Sequence, residues 1–450
     1  MQSSQLSLPN ATTTAAFPSG RRIGFVFGVL MYYLVFAWSY YRFLLPWQEF
    51  WGFSDNSVAP EYWILASIAA VGPACWAPIN LRRPTELLYL FQYLVLFVPT
   101  PVVLLNSGNP VLEPLVAVEV SFVMSASLGI MALAYAVPLM RIADFRLPIR
   151  VYWPLFFIAF SVLLLMVMNT LGGNFNLVTL DAINSVRRVA TQIVEQDEAP
   201  LVWYAQLWLA GAFMPLLFAV AVKKKSILGA LVVAGVYLFL YGITATKAAL
   251  LAVPILFGLI WITGGGGKQF VYRLVLALMA ALSFPLLFGL AGSYKEFLEK
   301  WWVTLVHARI FGVPQLIVAQ YLGFFQQHPI TLWSHISVVN SFVAYPYVID
   351  VPTTLGYFFY GSPVSLNAGL WVQDGVAAAG LLGIPIISVV AAGMFWLFDS
   401  AVQRVEAKFA AVSLGMIAIW FTNAPLTTTI VSSGWLVLAV LLVFYPAEDR

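Results

Sequence analysis

Three kinds of side chain in this sequence are placed where they could do chemistry. His335 and Asp374 are proton acceptors, and Arg309 is a permanent cation in an otherwise cation-poor stretch. All three fall between Ser293 and Gly375, together with His307, His328 and Asn367, so this one run holds every histidine of the chain. His335 follows Trp333-Ser334, outside any obvious apolar helix, and reads as the histidine best suited to catalysis. His307 sits two residues from Arg309, on another face of a helix, and reads as structural. His328, before Pro329, reads as a turn or cap. Asp374 in Val372-Gln-Asp-Gly375 has two readings: a helix N-cap, or a general base beside a glycine that lets a substrate approach.

The surroundings of these residues are apolar. Of 450 residues, 62% are hydrophobic and 9% charged, against about 25% charged in an ordinary soluble domain. That balance excludes a soluble enzyme and a nucleic-acid-binding protein. It predicts an all-α integral membrane protein, because apolar runs of roughly 18 residues or more favour helices over a barrel. Residues 1–20 read as a flexible tail, and 21–450 as a single polytopic domain. About twelve transmembrane helices are expected, near 23–45, 61–80, 86–106, 114–139, 151–171, 201–222, 226–243, 248–263, 274–292, 376–399, 409–423 and 427–446. Two external loops containing helical segments follow, near 172–200 and 293–375. The first carries an amphipathic helical pattern in Leu177, Leu180, Ile183, Val186, Val189 and Ile193. Cys75, the single cysteine, lies in an apolar run and reads as a buried, inert thiol.

Most of the 22 basic residues then fall on one side, among them Arg21, Arg22, Arg82, Arg83, Lys223 to Lys225 and Arg404. By the positive-inside rule that side is cytoplasmic, with both termini inside. Seven are left on the external side: Arg42, Lys295 and Lys300, which read as snorkelling to headgroups or paired with acids, and Arg187, Arg188, Lys247 and Arg309. Lys247 is wedged between two apolar runs, where a lysine at the centre of a span costs about 2.5–3.5 kcal/mol without a partner or a wet cavity. Cations gathered at an external cavity suit a diphosphate, which arginine grips with a planar fork and lysine with a point charge. At a membrane surface the natural ligand of this kind is a lipid-linked diphosphate. No DxD or HExxH pattern marks a metal site, and no cofactor is expected. The tetraglycine 264–267 with Lys268 lacks the leading glycine and the Ser/Thr of a phosphate loop.

The order Arg187/Arg188, Tyr204 to Pro215, Lys223-Lys-Lys, Thr246-Lys247, Arg309, Tyr321-Leu-Gly-Phe-Phe, His328-Pro, Ser334-His335, Asn367-Ala and Asp374-Gly375 resembles the Wzy-type oligosaccharide repeat-unit polymerases of O-antigen, capsule and exopolysaccharide synthesis. The resemblance spans roughly residues 170–400. It implies a polyprenyl-phosphate-sugar glycosyltransferase-like architecture in the bacterial inner membrane, with the active site facing the periplasm. Its donor and acceptor would both be undecaprenyl-diphosphate-linked oligosaccharide, and a chain-length regulator protein would be a partner. Arg187, Arg188, Lys247 and Arg309 would hold the diphosphate, Asp374 or His335 would take the acceptor proton, and Asn367, Tyr321 and Trp333 would meet the sugars, as would Phe324. The first-loop position is a double arginine here, which leaves open which of the two is equivalent. An O-antigen ligase and a lipid-linked oligosaccharide flippase or transporter are the alternatives.

Overall fold

The structure is a computed structural model, described over residues 20–47, 51–142, 145–175, 189–190, 192–194, 201–264 and 269–446, excepting the side chains of Trp47, Asn174, Lys247 and Ala291. Among the described residues every regular element is helical, and the one β contact is an isolated bridge between Phe53 and Ser107. Eight helical stretches among the described residues are long and apolar enough to cross a membrane: Gly20–Leu44, Glu86–Leu105, Pro114–Tyr135, Ile149–Leu171, Leu201–Lys223, Ile227–Thr244, Phe270–Leu290 and Leu370–Val402. The chain is therefore an all-α, multi-pass membrane protein. Several of the expected twelve spans are shorter or broken. Pro60–Val71 has 12 residues, about 18 Å of helix against a hydrocarbon core of about 30 Å. The run 409–423 divides into Ala407–Ser413 and Gly415–Phe421, and 427–446 into Leu426–Val431 and Trp435–Val443.

Two expectations change more deeply. The helical segments expected in the loop 293–375 are long and apolar enough to count as a span: Gly292–Phe311 and Val313–Phe325 form one pair, bent by 44°. Apart from Gly323 and Phe325, every residue of Val313–Phe325 is buried. The second change concerns Leu370–Val402, which does not run straight. Trp371 Nε1 donates to Ser388 Oγ at 2.7 Å, whereas 17 residues of continuous helix would separate their Cα atoms by about 25 Å. The chain folds back at Ala379–Gly380, where Gly380 adopts φ 61° and ψ −147°. Residues 370–379 thus form a short helical arm lying antiparallel on Gly383–Val402. The arm and helix touch backbone to backbone: a Cβ on Gly383 would stand 2.0 Å from the Gly375 carbonyl oxygen. Cys75, expected to be buried, ends the 3₁₀ turn Gly72–Cys75 and faces outward.

One end of the bundle collects the basic residues. Arg22 donates to Ala74 O and Ala77 O, Tyr272 to Arg21 O, and Arg83 to Ala134 O and Val137 O. Lys223 lies over the Phe409 ring at 5.3 Å. The same end holds two buried carboxylates with hydrogen-bond donors. Asp399 accepts from Thr85 N at 3.2 Å and Thr85 Oγ1 at 2.7 Å, and Glu86 accepts from the backbone of Arg82 and Arg83. The opposite end is closed by residues 326–369, the helical arm and the break before Leu426.

Candidate active site

At that opposite end the arm carries its only acid inward. Leu370–Val376 is π-helical, opening from Gly369 in extended conformation (φ −70°, ψ 177°), and its widened turn leaves Asp374 1% exposed. A buried carboxylate is costly unless its oxygens are hydrogen-bonded, and both are. Oδ2 accepts from the Leu426 N–H at 2.5 Å, and Oδ1 stands 3.3 Å from His335 Nε2. Asp374 therefore does cap a helix, but the helix is Leu426–Val431 and not the one it belongs to. Its other oxygen remains to orient an imidazole, so the two sequence readings divide between the two oxygens of one carboxylate.

His335 reaches Asp374 because the loop before it is pinned to the top of the arm. Thr331 N and Leu332 N donate to Ala377 O and Ala378 O at 2.7 and 3.0 Å, extending the ends of the arm's backbone ladder. The turn that follows places Leu332 and Trp333 at φ 48° and 59°, a left-handed pair that costs each of these non-glycine residues about 1–3 kcal/mol. Ser334 Oγ closes the turn on Thr331 O at 2.5 Å. Thr331 Oγ1 donates to Ala377 O at 3.1 Å and stands 3.5 Å from His335 Nδ1. With an ionised Asp374 as acceptor, the ring carries its proton on Nε2. Nδ1 then presents a lone pair beside a hydroxyl whose proton is already donated to Ala377 O. The His335 side chain is 15% exposed, so the pair has one solvent-facing member and one buried orienter. Next to Asp374, Gln373 Oε1 is buried with no hydrogen-bond partner among the described residues.

Arg309 is exposed at the same end, its guanidinium 4.8 Å over the Trp51 ring. Trp51 is tied to the cap at that end: Tyr360 Oη donates to Trp51 O at 3.4 Å and accepts from Gln320 Nε2 at 2.7 Å. Lys247 begins the helix Lys247–Gly264 just after Ala245, a left-handed residue at φ 50°, but its side chain lies outside the described residues. Thr246 Oγ1, its neighbour, accepts from Gln206 Nε2 at 3.3 Å. Arg187 and Arg188 also lie outside the described residues. Of the four cations expected at a diphosphate, only Arg309 is described with its side chain.

The aromatic expectations need correction. Tyr321 is 0% exposed and donates its hydroxyl to Leu366 O at 3.1 Å, so its ring has no face to offer a sugar. Phe324 is likewise buried, stacked on His328 at 3.9 Å. Trp333 is half-buried and Asn367 exposed, so both remain able to meet a ligand. His328 Nδ1 stands 2.9 Å from Phe324 O at the end of Val313–Phe325, a cap. His307 is buried against the Phe43 ring, with Nε2 3.0 Å from Leu282 O. Burial and the neighbouring Tyr345 push the Tyr347 hydroxyl up to about 12, so it stays a neutral donor to Pro329 O and braces the loop. Sequence reasoning missed Thr331 and the Leu426 N–H. Thr331 precedes His335 by four residues, a spacing that could have flagged it; the Leu426 contact is long-range and left no local signal.

Among the described residues no three His, Cys, Asp or Glu side chains come together as a metal-ligand set. What the arrangement can do is accept a proton at His335 Nδ1, with the imidazole held by a buried carboxylate, at the end of the bundle that carries an exposed arginine. Comparisons with protein-family models, curated proteins and solved structures return no match to this chain.

Proposed function

We propose that the chain is a membrane glycosyltransferase that polymerises undecaprenyl-diphosphate-linked repeat units on the periplasmic face. The observation that carries the reading is the Asp374–His335 pair, buried at the bundle end opposite most of the basic residues. In this mechanism the hydroxyl of an incoming lipid-linked repeat loses its proton to His335 Nδ1 while its oxygen bonds to the anomeric carbon of the growing chain. The bond from that carbon to the lipid diphosphate breaks, and the diphosphate leaves with the electron pair. Asp374 holds the ring in the Nε2–H tautomer and stabilises the imidazolium. Arg309 stabilises the charge gathering on the leaving diphosphate, with Lys247, Arg187 and Arg188 as the other cations of the seat. The proton then passes to water, and the product is a chain longer by one repeat, still lipid-linked. Asn367 and Trp333 are the sugar contacts of this reading.

One observation favours a second reading. The helices are interrupted at Ala379–Gly380, at 422–425 and at 432–434, and interrupted helices around a polar centre are also how transporters build substrate sites. Purified protein in liposomes with a lipid-linked repeat unit, with and without added lipid A core, separates the readings. A ladder of lipid-linked products is expected. Transfer of the lipid across the bilayer without a ladder would make the chain a flippase, and glycan on lipid A core would make it a ligase.

A further inference from the structure

Among the described residues, the segment between His335 and the helix Val351–Tyr360 presents a strongly exposed apolar surface beside the site. Val338 is 73% exposed, Phe342 86% and Val348 102%. Val338 lies in the short helix Ser337–Asn340, and Val343 N donates back to Val339 O just beyond it. That winding places Val338 and Phe342, four residues apart, on one side. The charge pattern narrows what can cover them. Between Arg309 and Arg404 the sequence has no lysine or arginine, so the segment has no basic side chain to hold acidic headgroups or an acidic partner. Its one acid is occupied: Asp350 Oδ2 accepts from Thr353 N at 3.1 Å and Thr353 Oγ1 at 3.0 Å. Tyr345 and Tyr347 turn their hydroxyls onto backbone carbonyls of Ile349 and Pro329.

The patch is continuous with a surface that a membrane protein gives to lipid. Gly383–Val402 exposes Ile386, Val389, Val390 and Leu397 along one stripe, and Leu382 stands above it at 74% exposure. Leu332, itself exposed, is hydrogen-bonded to Ala378 in the adjoining arm, and Ile336 N donates to Trp333 O at the start of the segment.

We infer that residues 336–350 rest in the headgroup–acyl boundary of the bilayer, with Val338, Phe342 and Val348 inserted among phospholipid chains, and do not stand in water. Apolar and tyrosine side chains without nearby cations insert at such boundaries by burying apolar area, not by electrostatic adhesion. This seat brings His335 to the level at which a lipid-borne headgroup travels, and it holds whether the chain polymerises, ligates or transports.

The test uses the full-length protein in phosphatidylcholine liposomes. In a Cys75→Ser background, nitroxide labels go onto Phe342→Cys and Val348→Cys, with Val389→Cys as the lipid reference and Lys224→Cys as the water reference. Collision with oxygen and with a water-soluble nickel chelate is measured at each. An oxygen-to-nickel ratio at Phe342 and Val348 close to that at Val389 is the expected result. A ratio like that at Lys224 would overturn the inference in favour of water. Protection from both reagents would overturn it in favour of a protein contact, a second copy of this chain being identified by label–label broadening. Both positions are exposed, so the substitutions leave the packed bundle untouched, and equal thermal unfolding of all four variants checks this.

Discussion

Replacing Asp374 with asparagine separates the two tasks that its oxygens perform. Asparagine retains a carbonyl oxygen for the Leu426 N–H, now 2.5 Å away, but it must turn an NH₂ toward His335 Nε2, 3.3 Å from the present carboxylate. Two N–H donors cannot face each other, so the ring shifts its proton to Nδ1 and Nε2 becomes the acceptor. The lone pair that would take the substrate's proton disappears while the cap survives. A positioned general base contributes roughly 10²–10⁴-fold, or about 2.7–5.5 kcal/mol of barrier at about 1.36 kcal/mol per tenfold. The same tautomer error costs about 10⁴-fold in a Ser–His–Asp triad. Stability changes far less, because the cap loses only its charge at a helix N-terminus, about 0.3–1 kcal/mol. The assay is the initial rate of ladder formation by purified protein in liposomes, alongside thermal unfolding. Asp374→Asn and His335→Gln are expected to fold normally and lose polymer to a similar degree, and the double variant should be no worse than either. Near-normal ladders from Asp374→Asn would confine the residue to capping Leu426–Val431 and refute the relay.

Three further outcomes follow from particular contacts. Arg309→Ala should slow the ladder roughly 30- to 1,000-fold, the equivalent of about 2–4 kcal/mol of lost charge stabilisation, and Arg309→Lys should recover little because an ammonium has no fork; full activity of the alanine variant would remove Arg309 from the diphosphate seat. Gly383→Ala should destabilise the fold by at least the ~1–3 kcal/mol of ordinary overpacking, since its Cβ would meet the Gly375 carbonyl at 2.0 Å, whereas Gly393→Ala, with nothing within 4 Å of its Cβ, should be neutral or gain about 0.5–1 kcal/mol; equal unfolding temperatures would show that the arm does not lie against Gly383–Val402. Single cysteines at Asp55 and Lys224, in a Cys75→Ser background, should react with an impermeant thiol reagent from opposite sides of oriented cells, Asp55 from the periplasm; the reverse pattern would invert the orientation.

The sequence announced the membrane and the helices, and it singled out Asp374 and His335 as candidates, because those signals are local. Apolar runs such as 151–171 need only their own composition, and a lone acid beside a glycine stands out in an apolar chain. What escaped was set by contacts between distant residues. The fold-back at Gly380 depends on Gly375 meeting Gly383 and on Trp371 finding Ser388, and nothing in an apolar run marks where it turns. The π-helical turns at Gln92–Phe97, Leu209–Phe213, Val303–Ala308 and Leu370–Val376 each shift the helical register, which defeats a reading based on 3.6-residue spacing. Tyr321 misled for a related reason. Aromatic rings that can stack on sugars are also good core material, and only the packing around Leu366 distinguishes the two.

The absence of lysine and arginine between Arg309 and Arg404 also bears on how the protein is made. Insertion machinery orients helices largely by their flanking positive charges, and here it meets Val313–Phe325, the arm and the whole of Gly383–Val402 with no such cue. Arg404, just past Val402, is the first anchor after this stretch, and it fixes Gly383–Val402 only once that helix has been synthesised. Residues 370–379 therefore wait for their partner, and take their direction from the glycine seam when Gly383–Val402 arrives. A chain truncated before Gly383 should leave the arm without a defined side, which makes the order of synthesis part of how the Asp374–His335 pair is assembled.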